Sequence, residues 1–221
     1  MIRLLYRSAG FGLFSNFVLA IVLVGGTYSV HPASLHLWWL SAIILVSIAR
    51  FCLNLAFARK QPPLEELPFW RNAFLLGVAV AGLLWGAAGW LYFGTGQLMP
   101  RLLLLVILMG LNAGAARSLA SVPVSYRSYV AATLVPLLVR FLTFPDGWAL
   151  ALITVTYALF LLNTARLHYA DLQRLWQLIF ENEELVASLN AEKERAEAAS
   201  QAKSHFLATM SHERHPRFLE N

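Results

Sequence analysis

Apolar residues occupy the first three quarters of this chain in long blocks, and polar residues separate the blocks instead of alternating within them. Each helical residue rises about 1.5 Å, so roughly 20 mostly apolar residues cross the hydrocarbon core of a bilayer. Six segments answer to that pattern: approximately Phe11 to Val30, Leu37 to Phe57, Phe74 to Phe93, Leu102 to Leu119, Tyr129 to Phe144 and Trp148 to Leu167. Short links such as "HPASLH", "RKQPPLEELPFWRN" and "FPDG" separate them, and "GTGQLMP", Gly94 to Pro100, reads as a turn because it lacks the Lys of a phosphate loop. Pro123, inside the amphiphilic "ARSLASVPVSYRS", either ends the fourth helix or kinks it.

Beyond Leu167 the period changes. Leu175, Asn182, Leu189, Ala196, Lys203 and Met210 share one seam position of a heptad frame, and Leu178, Leu185, Glu192, Ala199 and Phe206 share the other. This is a coiled-coil pattern, in which the polar Asn182, Glu192 and Lys203 lower stability and help fix register. Asp171, Glu181, Glu183, Glu184, Glu192, Glu194, Glu197, Glu213 and Glu220 all fall here, so the segment is solvated. A single exposed amphipathic helix is the blander reading of the same periodicity.

Composition agrees with the blocks: 58% of the 221 residues are hydrophobic and only 13% charged, against about a quarter charged in ordinary soluble domains. The net charge of +5 does not suggest nucleic-acid binding, because the basic residues stand singly between apolar stretches and form no patch. They report topology instead. With six spans and a cytoplasmic N-terminus, Arg3, Arg7, Arg59, Lys60, Arg71, Arg117, Arg127, Arg166 and Arg174 lie inside and only Arg101 and Arg140 outside, as the positive-inside rule favours. Both ends are then cytoplasmic, and Trp38, Trp39, Trp70, Trp90, Tyr92 and Trp148 fall near span ends, where amphipathic rings favour the headgroup region. The first span is expected to be retained, since no cleavage site follows it. The one cysteine, Cys52, excludes an intrachain disulfide.

Within the spans no Asp or Glu occurs, which argues against a proton- or cation-coupled transporter. Arg50, Asn54, Asn112 and Asn163 are candidates for a sensing pocket, although snorkelling for the arginine and helix-to-helix bonding for the asparagines explain them without function. His31 and His36 read as plain surface residues of a loop, with pH sensing or metal binding as the functional alternative. Two small-residue motifs, Gly82 with Gly86 and Gly110 with Gly114, allow close helix approach, and packing within one chain is the simpler expectation.

The end of the chain is more specific. "ENEELVASLNAEKERAEAASQAKSHFLATMSHE", Glu181 to Glu213, closely resembles the linker and first dimerisation helix of membrane-bound sensor histidine kinases, including hybrid ones. The resemblance implies that His212 is the phosphoacceptor and that Glu213 assists as acid or base. A neutral imidazole nitrogen is a competent nucleophile near neutral pH, and in the heptad frame of Phe206 and Met210 His212 lies off the seam. One departure stands out. The family reads His-Glu-apolar-Arg-x-Pro, whereas here Arg214, His215, Pro216 and Arg217 follow Glu213 directly, so Pro216 arrives one residue early, a rotation of about 100°. No ATP-binding motif or Gly-rich box is present.

The expectation is an all-α polytopic membrane protein: a six-helix transmembrane sensor domain over 1–167, a cytoplasmic signalling coiled coil over 168–202, and an incomplete dimerisation and phosphoacceptor helix over 203–221. By the resemblance it is the sensor part of a two-component phosphorelay kinase of the bacterial inner membrane, cut inside its phosphoacceptor helix. ATP and Mg would belong only to the missing kinase domain, so no cofactor or metal is expected in this chain. The implied partners are a second copy through the coiled coil, a response regulator or receiver domain, and membrane lipid, with no nucleic acid. The alternatives are a non-catalytic receptor or dimerising regulator, and the input domain of a cyclic-dinucleotide synthase.

Overall fold

The computed structural model describes residues 2–94, 97–119 and 121–214, with the side chains of 3, 4, 7, 8, 11, 117 and 208–214 excepted. Among the described residues every regular element is helical: α1 (Ile2–Thr27), α2 (Ala33–Lys60), a 3-10 turn (Leu64–Glu66), α3 (Leu67–Phe93), α4 (Leu98–Leu119), α5 (Pro123–Leu142) and α6 (Trp148–Arg214). Stretches long and apolar enough to cross a membrane occur in four places, at Ala33–Lys60, Leu64–Phe93, Leu98–Ala116 and within Trp148–Leu207. The apolar part of α1, Gly12–Thr27, is shorter. α5 is not in this set, and it carries Arg127, Ser128, Thr133 and Arg140 along its length.

Local chemistry sets the helix limits. α2 ends where Gln61 turns left-handed, at φ 43°, with its N–H on the Phe57 carbonyl, and the following Pro62 and Pro63 cannot continue a helix. The Lys60 ammonium meets the Glu66 carboxylate at 2.7 Å across that turn. Pro123 does not kink α4: α4 closes at Leu119, and Pro123 opens α5, where a missing N–H costs nothing. α5 therefore starts earlier than Tyr129, because Pro123, Val124, Ser125 and Tyr126 form its first turn.

Residues Met1–Asp171 form one compact unit and Leu172–Asn221 a second. In the first, α3 occupies the middle, pairing most extensively with α5 and also with α2 and α4, while α1 packs on α2 and α4. Trp85, Tyr92, Phe93, Tyr126, Leu104 and Phe141 are fully enclosed. The Tyr157 hydroxyl of α6 donates to the Met109 carbonyl of α4 at 2.5 Å. Trp38 and Trp148 are exposed, in keeping with a headgroup position, but Trp39, Trp70 and Tyr92 are buried. They are core residues, held by bonds such as Trp39 Nε1 to the Leu84 carbonyl at 2.8 Å.

In the second unit the backbone is helical to Arg214, and Leu175, Leu178, Leu185, Leu189 and Phe206 are each more than half exposed in the single chain. A Lys193–Glu197 pair at 3.7 Å spans one turn of the exposed surface.

Candidate functional site

The two small-residue motifs have opposite fates. A Cβ at position 82 would lie 2.9 Å from the Ala132 Cβ, and one at position 86 would meet the Ala132 carbonyl oxygen and lie 2.9 Å from the Pro136 Cγ. Gly82 and Gly86 therefore bring α3 and α5 into backbone contact. The cause is legible: Pro136 lies inside α5 and has no N–H, so the carbonyl four residues earlier, at Ala132, loses its helical partner. Gly86 lets α3 approach that oxygen, an arrangement suited to a weak Cα–H···O contact. Trp90 Nε1 caps the same region by donating to the Pro136 carbonyl at 2.8 Å.

Gly110 and Gly114 do the reverse. Nothing lies within 4 Å of a Cβ placed on either, nor on Gly12 of α1. Instead of a helix contact they border a cavity of about 340 Å³, walled by apolar residues including Leu5, Leu19, Val78 and Leu111. That volume is within the range of small-molecule sites, about 300–1,000 Å³.

Arg50 of α2 lines this cavity together with Tyr129 of α5. It lies deep among protein atoms, yet part of its surface stays open because it borders the void. Its stem fits a notch on α3, where a Cβ on Gly77 would be 3.0 Å from the Arg50 Cγ. Among the described residues Arg50 makes no hydrogen bond or ion pair, and its electrostatic neighbour is the Tyr129 ring. An arginine at the centre of a spanning helix costs about 2.5–3.5 kcal/mol on insertion scales, so an unpaired one beside a void is a functional candidate. Asn16, which sequence reasoning passed over, is buried on the same wall and accepts from Trp85 Nε1 at 2.8 Å.

The other sequence candidates separate. Asn112 is a structural bond: its Oδ1 accepts from the Thr133 hydroxyl at 2.8 Å and its Nδ2 donates to the Leu108 carbonyl at 2.8 Å, joining α4 to α5. Asn163 is exposed on α6 and lines none of these cavities, whereas Asn54 shares a small gap with Arg50.

The reading of His36 as a loop surface residue is corrected, while His31 does lie in the link between α1 and α2 and is half-buried there. His36 is buried on α2, its Nδ1 3.1 Å from the Tyr92 hydroxyl, and its ring stacks on Tyr92 and Tyr28. His31 packs edge-on against both His36 and Tyr92. Tyr92, the ring that both histidines share, lies on α3, remote in sequence, and no local pattern announces it.

His212 and Glu213 lie on α6, two residues and one residue before Arg214, its last described residue. Their side chains fall outside the described ones, as do His215, Pro216 and Arg217. Among the described residues no group of three or more His, Cys, Asp and Glu side chains forms. The chain thus offers two separate candidates, a cavity with a cationic wall in the first unit and a histidine-bearing helix in the second. No protein-family model matches the chain, and neither the curated proteins nor the solved structures contain a match to it.

Proposed function

We propose that this chain is the membrane sensor and signal-transmitting part of a two-component histidine kinase of the bacterial inner membrane. In this reading its six long helices span the bilayer with both ends cytoplasmic, and two copies pair through a coiled coil. His212 is the phosphoacceptor. The observation that carries the reading is Ser211-His212-Glu213 at the end of α6, a helix whose apolar first part begins at Trp148. The exposed stripe of Leu175, Leu178, Leu185 and Leu189 supports pairing, since a second copy would cover it. Outward-facing Leu45, Ile48 and Phe51 of α2 suit contact with lipid tails.

In the reaction an imidazole nitrogen of His212 attacks the γ-phosphorus of ATP. An N–P bond forms, the bond to the ADP oxygen breaks, and Glu213 takes up or shares the ring proton. The phosphoryl group then passes to a response-regulator aspartate. ATP and Mg are bound by a kinase domain, because positioned phosphate and metal are what this transfer requires.

The test supplies that domain separately. The chain, reconstituted in nanodiscs with a histidine-kinase ATP-binding domain and Mg-ATP, acquires acid-labile phosphate. His212→Gln abolishes the label and His205→Gln leaves it. Inserting a leucine between Glu213 and Arg214 raises it by restoring the helical facing beyond the acceptor. Label that survives His212→Gln, or no label on the chain with the leucine inserted, overturns the reading.

A further inference from the structure

We propose that the cavity between α1 and α4 binds a single-chain amphiphilic anion, an acyl chain ending in a carboxylate, with Arg50 holding the carboxylate and the wall of Gly110 and Gly114 accommodating the chain.

Three independent features point to that chemistry. The first is charge. A guanidinium stays protonated in any protein environment, and its planar fork matches a carboxylate bidentately. Among the described residues Arg50 has no acidic partner to neutralise it, and Asp and Glu are absent from the apolar segments around it. A cationic ligand would be repelled there, and a neutral one would leave the charge unmet.

The second is the wall. Leu5, Leu19, Val78 and Leu111 make the remainder of the lining chiefly apolar. A small inorganic anion would lose its hydration and regain only one cation. An anion carrying a hydrocarbon chain instead pairs its head with Arg50 and matches its tail to the wall.

The third is the origin of the space. Gly110 and Gly114 sit one helical turn apart on the cavity lining, both exposed and with nothing within 4 Å of either Cβ position, so the absence of side chains leaves that wall open. Gly77 serves the head: its notch receives the Arg50 stem at 3.0 Å, which makes it a positioning residue for the guanidinium. Tyr129, whose hydroxyl makes no hydrogen bond among the described residues, adds a neutral donor on the same wall.

That such a ligand is the stimulus rests on the sensor reading above. Its binding does not, and binding is what the experiment measures. The full chain is placed in nanodiscs of zwitterionic phosphatidylcholine, and equilibrium binding of radiolabelled decanoate is followed. Saturable binding is expected, with unlabelled 1-decanol competing at least about tenfold more weakly than unlabelled decanoate, because the alcohol cannot form the charge-assisted pair. Arg50→Gln weakens decanoate by about tenfold or more while leaving the weak decanol binding in place. Gly114→Leu abolishes both, since the new side chain fills the void. Circular dichroism and gel filtration establish that each variant is folded, and should Arg50→Gln fail there, Gly114→Leu and the decanol comparison decide the matter. The proposal is overturned by absence of saturable binding, by equal competition from decanol, or by decanoate binding unchanged in Gly114→Leu. Displacement of decanoate by modest phosphatidylglycerol in the disc would also overturn it, by making Arg50 a phospholipid headgroup site. Loss of labelling at His212 would leave all of these outcomes untouched, so the two readings fail separately.

Discussion

Replacing Gly86 and Gly114 by alanine, one at a time, should move stability in opposite directions although each is the second glycine of a Gly-x-x-x-Gly motif. At position 86 the new methyl would press on the Ala132 carbonyl oxygen, 2.9 Å from the Pro136 Cγ and 3.3 Å from the Thr133 oxygen. Two of these three neighbours are backbone and the third is a rigid ring, so relief requires α3 and α5 to separate. Overpacking of this kind costs about 1–3 kcal/mol, and alanine's better helix propensity returns about 0.5–1 kcal/mol. The net is a loss of up to about 2.5 kcal/mol, centred near 1. At position 114 nothing lies within 4 Å, so only the propensity gain of about 0.5–1 kcal/mol survives. Titration of the purified chain from mild detergent into dodecyl sulfate, followed by far-ultraviolet circular dichroism, ranks the three proteins. The expected order is Gly114→Ala, then the native chain, then Gly86→Ala. Gly86→Ala as resistant as the native chain would refute the backbone contact, and Gly114→Ala as sensitive as Gly86→Ala would refute the void.

Two further outcomes follow from other parts of the structure. Tyr92→Phe removes the hydroxyl beside the buried His36 Nδ1 and should destabilise by about 1–3 kcal/mol; the additional change His36→Phe in the same chain should cost less than it does alone, a coupling read from the four unfolding midpoints of a double-mutant cycle. In a Cys52→Ser background, which removes the exposed native thiol, cysteine at Leu185 should crosslink two chains more readily than cysteine at Glu183 on gels after mild oxidation, and equal yields at both would indicate a single unpaired helix.

Much of the helical layout was legible in the sequence because the apolar blocks are long and their breaks are chemical. The Pro62-Pro63 pair after α2 and the "FPDG" link before α6 stop helices by local rules, and the left-handed φ of 59° at Asp146 is one such rule in action. Where the reading slipped, amphipathic turns were involved. α1 begins at Ile2 and α5 at Pro123, because helical turns rich in Arg, Ser and Tyr extend beyond the hydrocarbon-length window that located them. Burial was harder. Tyr92 looks like a headgroup aromatic from its place near a span end, yet His31, His36 and Trp39 enclose it, and that enclosure depends on how α2 lies against α3.

The arginines show why the cavity itself was illegible while its key residue was not. Arg101 and Arg140 both sit at the ends of helices and both find partners: Arg101 Nε donates to the Phe93 carbonyl at 3.1 Å and its guanidinium lies over Phe93 and Phe144, while Arg140 lies over Trp90. Arg50 is ten residues short of Lys60, about 15 Å along the helix, too far for a side chain to snorkel to that end. Its stem turns inward against Gly77 instead. A lone arginine among apolar residues is visible in one dimension. The void that leaves it unpaired needs Gly12 from α1 and Gly110 with Gly114 from α4, and a small-residue motif alone cannot say whether its missing side chains admit another helix or a ligand. What discriminates the two is the neighbour: α3 meets an unpaired carbonyl that draws a backbone close, and α4 meets an unpaired cation that calls for an anion.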